Sequence, residues 1–161
     1  LCVAFVDLEK AFDRVNWTVL MEILKKIGVD WKERRLISNL YLKQRVRVKI
    51  GEEMTEGSEI GRGVRQGCCL SPTLFNIYLE ELLKKCFINR EIVIGGRNIK
   101  CIKFADDMVL LAKDEKTLKR MLEELNTSCE QYGMKINVKK TKVMVIGRKE
   151  RKIDVQLAGR E

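Results

Sequence analysis

Two adjacent carboxylates, Asp106 and Asp107, stand between two short apolar runs of the chain. Those runs, over residues 99–104 and 108–112, are rich in Val, Ile, Phe and Leu, which favour strands, and the Ala105-Asp-Asp step between them favours a tight turn. Neighbouring anions repel each other unless solvent or a divalent cation neutralises them. The pattern therefore indicates either an ordinary solvated turn or a metal site at the tip of a hairpin.

A third carboxylate, Asp7, ends a nearly continuous apolar run over residues 1–6. Such a run predicts a strand that is buried on both faces, and a strand holds the side chain at its end in a defined position. Because Asp at the end of a strand is also common as a cap, this residue alone leaves the catalytic and the structural interpretations open.

Capping residues and apolar spacing predict the helices around these strands. Asn16 precedes a predicted helix over 17–27, Asp30 precedes a second, and Asp114 precedes a long amphipathic helix that stops at Gly133. Ser71 is predicted as an N-cap, followed by Pro at the first helical position. Further strands are predicted over 46–50, 134–138 and 141–146.

A glycine-rich loop over residues 61–72 leads into the helix predicted at Ser71. Its glycines permit close approach of the backbone to a ligand, and the N-terminus of the helix presents free N–H groups to an anion. A glycine-rich loop is weak evidence by itself, because many such loops bind nothing.

The chain is basic, with a net charge of +9 and a pI near 9.3 over 161 residues, which is the size of one domain. An anionic partner is therefore plausible, with nucleic acid first and a membrane surface second. One basic run can follow a phosphate backbone, or it can be an ordinary solvated face. That run consists of Arg34, Arg35, Lys43, Arg45, Arg47 and Lys49.

Six cysteines without paired spacing, and the absence of His, argue against a structural zinc site. The cysteines lie mostly in apolar stretches, so we expect reduced thiols in an intracellular protein. No apolar run approaches the ~20 residues that span a membrane, and no cleavable signal is present. Because Leu1 already lies within an apolar run, we expect the chain to be a fragment of a longer protein.

Four segments in order carry a resemblance to a known family. They are residues 4–13 (AFVDLEKAFD), 63–72 (GVRQGCCLSP), 104–107 (FADD) and 133–142 (GMKINVKKTK). Together they resemble reverse transcriptases, and most closely those of non-LTR (LINE-type) retrotransposons, with group II intron reverse transcriptases as the nearest cousins. The resemblance spans nearly the whole chain.

The resemblance implies an α+β fold, the polymerase palm, in which an antiparallel sheet carries the carboxylates and helices pack on one face. It implies a partial reverse transcriptase domain over 1–161, with an inserted fingers segment at about 17–62. The upstream fingers strands and the downstream thumb are expected to be absent, the latter cut off near Gly159. The fragment alone is therefore expected to be weakly active or inactive.

The implied activity is that of an RNA-directed DNA polymerase, which joins a primer 3′-hydroxyl to the α-phosphate of a nucleotide and releases pyrophosphate. Two cations would stabilise the attacking and leaving oxygens. By resemblance, Asp7 and Asp106 bind both Mg²⁺ ions (Mn²⁺ being an alternative), Asp107 assists, and the carbonyl of Leu8 adds a ligand.

The resemblance also assigns residues to the nucleotide. Phe12 would pack under the sugar and exclude a 2′-hydroxyl by steric clash, although it can equally be a core residue. Gln66 would contact the incoming nucleotide, Gly67 would permit its approach, and Arg65 would reach a phosphate. Lys140 would protonate the leaving pyrophosphate, with Lys139 and Lys142 near enough to leave that choice open.

The implied partners are an RNA template, a DNA primer and deoxynucleoside triphosphates, with no membrane; the oligomeric state is not predicted. The family implies a nuclear and cytoplasmic ribonucleoprotein. Two alternatives stay open, a non-catalytic relic that only binds nucleic acid, and another palm enzyme such as an RNA-templated RNA polymerase or a nucleotidyl cyclase. The intact carboxylates oppose the first alternative, and Phe12 with the segment 65–72 opposes the second.

Overall fold

A computed structural model describes residues 1–84, 86–87 and 92–147 of the chain. The chain forms two compact units, the first made of Leu1–Ala11 with Leu79–Glu161 and the second of Phe12–Tyr78. The helices are α1 (Ala11–Arg14), α2 (Trp17–Lys26), α3 (Trp31–Tyr41), α4 (Ser71–Leu83) and α5 (Glu115–Gln131). The strands are β1 (Cys2–Val6), β2 (Arg45–Val46), β3 (Lys49–Ile50), β4 (Glu53–Met54), β5 (Ser58–Glu59), β6 (Ile92–Ile94), β7 (Arg97–Ile99), β8 (Cys101–Phe104), β9 (Asp107–Ala112) and β10 (Lys142–Val145).

The first unit is built on a four-stranded antiparallel sheet with the strand order β10-β1-β9-β8. Alternate side chains of a strand point to opposite faces, so one face of β1 and β9 can be apolar and covered. Ala4, Val6, Met108 and Leu110 lie on that face and are buried. The helix α5 packs against both strands. The predicted antiparallel sheet with a helix on one face is therefore confirmed.

The helix α5 forms because an apolar stripe recurs at helical spacing and both ends are specified. The Asp114 carboxylate accepts a hydrogen bond from the backbone N–H of Thr117 at 2.8 Å, and Gly133 follows the helix with a φ of +68°. The buried stripe consists of Leu118, Met121, Leu122, Leu125 and Cys129. This stripe is the core beneath the sheet, and it agrees with the sequence prediction.

In the second unit, α2 and α3 pack against each other and begin at the predicted caps. The Asn16 side chain accepts a hydrogen bond from the N–H of Val19 at 3.2 Å, and Asp30 accepts one from the N–H of Lys32 at 2.8 Å. Each cap satisfies a backbone donor that has no partner within its helix. Both helix predictions are confirmed at their N-termini.

Three sequence predictions are wrong in detail. The strand β1 is buried on both faces at Val3 and Ala4, but Phe5, on the face of Val3, is 44% exposed. The stretch 134–138 is not a strand and makes only one bridge, between Ile136 and Leu8, since the chain turns at Asn137. The Ser71 hydroxyl does not cap α4; it is buried and makes no hydrogen bond of satisfactory geometry.

The predicted loss of the thumb near Gly159 lies outside the described residues. Within the described ranges, no helix combines the length and the apolar character needed to cross a membrane.

Candidate active site

The register of the sheet places two of the predicted catalytic carboxylates across from each other. Val6, the last residue of β1, pairs with Met108 of β9. Continuing the same antiparallel register by one residue sets Asp7 opposite Asp107. Paired residues of antiparallel strands project to the same face, so both carboxylates project from one end of that face.

Asp106 lies in the two-residue loop that joins β8 to β9. Phe104 and Asp107 form the last pair of the hairpin, which leaves Ala105 and Asp106 as the loop. Ala105 takes a φ of +53°, a left-handed conformation of the kind that such short loops require. The tight turn therefore places Asp106 directly before Asp107, at the end of the sheet where β1 ends.

The segment from Asn137 to Thr141 fastens the end of β1. The Asp7 carbonyl accepts a hydrogen bond from the N–H of Asn137 at 2.8 Å, and the Asp7 N–H donates to the Thr141 hydroxyl at 3.4 Å. Asn137 also closes its own turn by accepting from the N–H of Thr141 at 2.9 Å. Neither Asn137 nor Thr141 was predicted to have this role, although Asn before a polar stretch is a recognisable turn signal.

Lys140 is the lysine that approaches Asp7. Its Nζ lies 3.8 Å from Asp7 Oδ1, with the lysine side chain largely exposed and the carboxylate partly buried. No ion pair is found for Lys139 or Lys142 in the described structure. Of the three lysines that the sequence left open, the geometry favours Lys140 as the partner of Asp7.

The donor set at this end of the sheet suits a hard divalent cation in its chemistry, since carboxylate and carbonyl oxygens are the ligands such ions prefer. Leu8, the predicted carbonyl ligand, is buried directly after Asp7. Among the described residues, however, no three His, Cys, Asp or Glu side chains converge closely enough to hold a metal ion. The sheet thus brings the carboxylates to one edge without closing them into a cluster.

The same face of the sheet is apolar and uncovered beside these carboxylates. By strand alternation and register, Phe5, Ile102 and Phe104 share the face of Asp7 and Asp107. Their exposed fractions are 44%, 54% and 84%. Large exposed apolar surface is uncommon on a single soluble chain and marks a surface that contacts another molecule.

Phe12 lies in the second unit, where it stacks on another aromatic ring. Its ring centroid is 4.7 Å from that of Phe75 on α4, with 17° between the planes. Offset stacking of this kind adds about 0.5–1.5 kcal/mol beyond the buried area. The Phe12 carbonyl also accepts a hydrogen bond from the N–H of Val64 at 2.8 Å. The stacking orients the ring, the hydrogen bond fixes the backbone that carries it, and the residue as a whole is partly exposed.

Gly63 is required where the glycine-rich loop meets α1. Its φ is +97°, and a Cβ there would lie 3.0 Å from the Cα of Asp13. Its carbonyl accepts a hydrogen bond from the indole Nε1 of Trp17 at 2.6 Å. A side chain at this position would push the loop away from the segment that carries Phe12.

The other predicted nucleotide-binding residues follow in this loop. Gln66 is exposed, and Gly67 has a φ of +78° with open space where a Cβ would be. Arg65 donates from a guanidinium nitrogen to the carbonyl of Leu40 at 3.2 Å, so in this conformation it caps the C-terminal end of α3. Phe12, Arg65, Gln66 and Gly67 thus belong to the second unit, whereas Asp7, Leu8, Asp106, Asp107 and Lys140 belong to the first.

A polar cluster surrounds the start of α4. The backbone N–H groups of Leu70 and Ser71 and the Arg65 charge lower the pKa of the Cys68 thiol below its usual value. Burial raises the pKa of the nearby Tyr41 hydroxyl. Thiols at helix N-termini are stabilised as thiolates in this manner.

Cys68 is therefore expected to be the most reactive thiol of the protein at neutral pH. Brief treatment with iodoacetamide, followed by peptide mass spectrometry over a pH series, should show Cys68 alkylation with a midpoint below that of free cysteine, because the thiolate is the nucleophile. Burial raises the pKa of Cys101 to about 11 and that of Cys129 to about 12, so both should stay unmodified. A Cys68 midpoint at or above that of free cysteine would contradict the expectation.

Comparison with known proteins places these features in a family. The family described as reverse transcriptase (RNA-dependent DNA polymerase) matches residues 1–155. The Pol polyprotein of the retrotransposable element R2 from Nasonia vitripennis is 30% identical over 97% of this chain and 15% of its own length. An R2 polyprotein from Popillia japonica is 33% identical over 86% of this chain and 20% of its own length.

A protein of transposon TX1 from Xenopus laevis is 30% identical over 91% of this chain and 12% of its own length. The chain therefore spans a fifth or less of these relatives. Among solved structures, telomerase from Candida tropicalis, in complex with a fragment of telomeric RNA, matches with a TM-score of 0.66 and 17% identity, covering 89% of this chain and 26% of that chain. The likeness confirms the predicted α+β polymerase fold.

Proposed function

The chain belongs to the reverse transcriptase family, and from that premise we propose that it forms the catalytic centre of an RNA-directed DNA polymerase of a non-LTR retrotransposon. The observation that carries the proposal is that Asp7, directly after β1, and Asp107, the first residue of β9, lie at the same end of two hydrogen-bonded strands, with Asp106 in the adjoining turn. The two carboxylates that the proposal needs most, Asp7 and Asp106, are 99 residues apart in sequence, and only this register brings them to one edge.

The carboxylates of Asp7, Asp106 and Asp107, with the Leu8 carbonyl, would hold Mg²⁺, or Mn²⁺ in its place. Bound divalent ions supply charge stabilisation for the attacking and leaving oxygens of the phosphoryl transfer. The protein's own contribution is to position these donors: β1 and β9 set the spacing of Asp7 and Asp107, and the segment 137–141 prevents the end of β1 from fraying.

Lys140 would hold a proton near the leaving pyrophosphate. Its ammonium group already lies beside Asp7 while its side chain is largely exposed, so it can turn toward a bound phosphate without losing buried contacts. An ammonium group next to a leaving oxyanion neutralises developing charge and can transfer a proton to it.

The second unit would supply the contacts to the nucleotide. The ring of Phe12 would lie under the sugar and exclude a 2′-hydroxyl by clash, because stacking on Phe75 restricts its movement. Exposed Gln66 and the open backbone of Gly67 would contact the incoming nucleotide, and Arg65 would release Leu40 to reach a phosphate. Under this proposal the first unit is the palm and the second includes the fingers segment.

An RNA template and a DNA primer are the proposed partners. The net charge of +9 favours a polyanion, and the exposed apolar face next to the carboxylates would accommodate the sugars of the bound duplex. The Candida tropicalis telomerase is a relative in fold whose structure contains RNA. We further propose that the protein acts within an intracellular ribonucleoprotein.

A non-catalytic nucleic-acid-binding relic is the second candidate. The observation in its favour is that no three carboxylates converge among the described residues, while Asp7 is paired with a lysine. This candidate predicts tight RNA binding without nucleotide incorporation, and it treats the acidic edge as a structural remnant.

Primer extension on an RNA template with Mg²⁺ and deoxynucleotides tests the proposal. The full-length gene product containing this chain, and the chain itself, would each be compared with its Asp106→Asn variant. We expect extension by the full-length protein and none by its variant. If the full-length protein binds RNA but never extends a primer, and the variant binds equally well, the polymerase proposal fails and the binding relic stands.

A further inference from the structure

The strands β2 to β5 form one hairpin whose register changes by one residue. Ser58 lies opposite Val46, but Thr55 lies opposite Val48, whose N–H and carbonyl bond to the Thr55 hydroxyl and N–H at 2.9 Å each. Two residues of the returning strand therefore face the single residue Arg47. An extra residue of this kind is a β-bulge, which bends the strand and redirects the side chains around it.

The bulge contains Gly57, and two arginine side chains fill the space that Gly57 leaves open. A Cβ on Gly57 would lie 3.4 Å from Nε of Arg47 and 3.5 Å from Nε of Arg45. Arg45 and Arg47 are two residues apart on one strand, so they share a face of the hairpin. The missing side chain at position 57 allows both guanidinium groups to converge on one place.

Neither arginine forms an ion pair with a carboxylate among the described residues. This holds although Glu59 lies directly opposite Arg45. Both arginines are exposed. Two guanidinium groups held together repel each other, and an anion between them removes that repulsion while accepting several hydrogen bonds.

We propose that Arg45, Arg47 and the open side of Gly57 form a phosphate-binding site that takes one phosphodiester group of the bound nucleic acid. The inference rests on the proposed function for the identity of the polyanion. One planar guanidinium group can donate two parallel hydrogen bonds to two oxygens of a phosphate. Arginine is therefore suited to fixing the position of a nucleic-acid strand. The site would hold the nucleic acid at a defined point of the second unit without reading its sequence.

Binding of a fluorescent single-stranded RNA to the full-length gene product, followed by anisotropy at several salt concentrations, tests the site without requiring catalysis. The double variant Arg45→Ala/Arg47→Ala should bind roughly tenfold more weakly. The logarithm of the RNA-binding constant falls linearly with the logarithm of the salt concentration. In the double variant this slope should become shallower by about 0.7, because one phosphate contact is lost.

A second variant separates a positioned contact from diffuse charge. Gly57→Val retains every charge but places a branched side chain between the two guanidinium groups, so it should also weaken binding severalfold. Gly147→Val is the matched control, because Gly147 lies in open space with no positive φ and should bind RNA as the native protein does. The double variant Arg97→Ala/Arg120→Ala removes two exposed charges outside the basic run and should leave the salt slope near the native value.

Three results would overturn the inference. Unchanged RNA binding by both the double variant and Gly57→Val, with native thermal unfolding, would exclude the site. Equal losses of RNA affinity in Arg45→Ala/Arg47→Ala and in Arg97→Ala/Arg120→Ala would show that the arginines contribute only diffuse charge. If the double variant Arg45→Ala/Arg47→Ala has a higher KM for deoxynucleotides but unchanged RNA binding, the site binds a phosphate of the incoming nucleotide and not one of the nucleic acid. Loss of polymerase activity in Asp106→Asn leaves this test unaffected, so failure of the site and failure of the proposed function are distinguishable.

Discussion

Replacing Asp7 by Asn is expected to lower primer extension by the full-length gene product by more than about 100-fold. The change retains the size of the side chain but removes the charge that a bound divalent cation would need, and even residues that only orient metal ligands cost roughly 10–100-fold when they are lost. Stability should change little, because the Asp7–Lys140 pair is partly exposed and such pairs contribute about 0–1 kcal/mol.

Asp13→Asn is the matched control for this result. Asp13 is an exposed carboxylate six residues further along the chain, in α1, and it has the same charge to lose. Steady-state extension rates and thermal unfolding curves should be recorded for both variants. Comparable activity of Asp7→Asn and Asp13→Asn would show that the acidic edge of the sheet has no catalytic role.

Replacing Phe12 by Ala is expected to lower the discrimination between deoxynucleotides and ribonucleotides by about 100-fold, measured as the ratio of kcat/KM values. Removing the ring opens the space that a 2′-hydroxyl would occupy, so ribonucleotide use should rise more than deoxynucleotide use falls. Phe75→Leu should produce a smaller change in the same direction, because it removes the stacked partner at 4.7 Å but leaves Phe12 in place.

Loss of stability must be separated from loss of selectivity in these variants. Leu118→Ala removes a fully buried side chain of α5 and should cost about 2–5 kcal/mol of unfolding free energy, in the other unit of the protein. Its discrimination ratio should match that of the native protein. If Phe12→Ala leaves the ratio unchanged while lowering stability, Phe12 is a core residue, which is the alternative that the sequence left open.

Local features of the sequence were sufficient to predict the helices and the hairpin. Asn16, Asp30 and Asp114 each accept the backbone hydrogen bond expected of an N-cap, and Gly133 ends α5 with a positive φ. These features depend on residues within one or two turns of each other, so they can be recognised without knowing the fold.

Errors arose where the partner of a residue lies far away in sequence. Val3 and Phe5 share the face of β1 that lies opposite α5, yet Val3 is buried and Phe5 is 44% exposed, and residue types in the apolar run 1–6 do not predict that difference. Similarly, the residue types around Ile136 predict a strand. The chain instead turns at Asn137, whose N–H donates to the Asp7 carbonyl, so Ile136 makes a single β-bridge, to Leu8. Long-range pairing decides both outcomes.

The sequence by itself determined the carboxylates, the family resemblance and the order of the segments, because these are properties of residue types and spacing. Only the tertiary structure decided that Asp7 and Asp107 lie at the same end of neighbouring strands, that Lys140 rather than its neighbours approaches Asp7, and that Arg45 and Arg47 converge at Gly57. Each of these depends on strand register, and a shift of one residue would turn every side chain to the opposite face. Register is set by packing of the whole sheet or hairpin, which no short stretch of sequence contains.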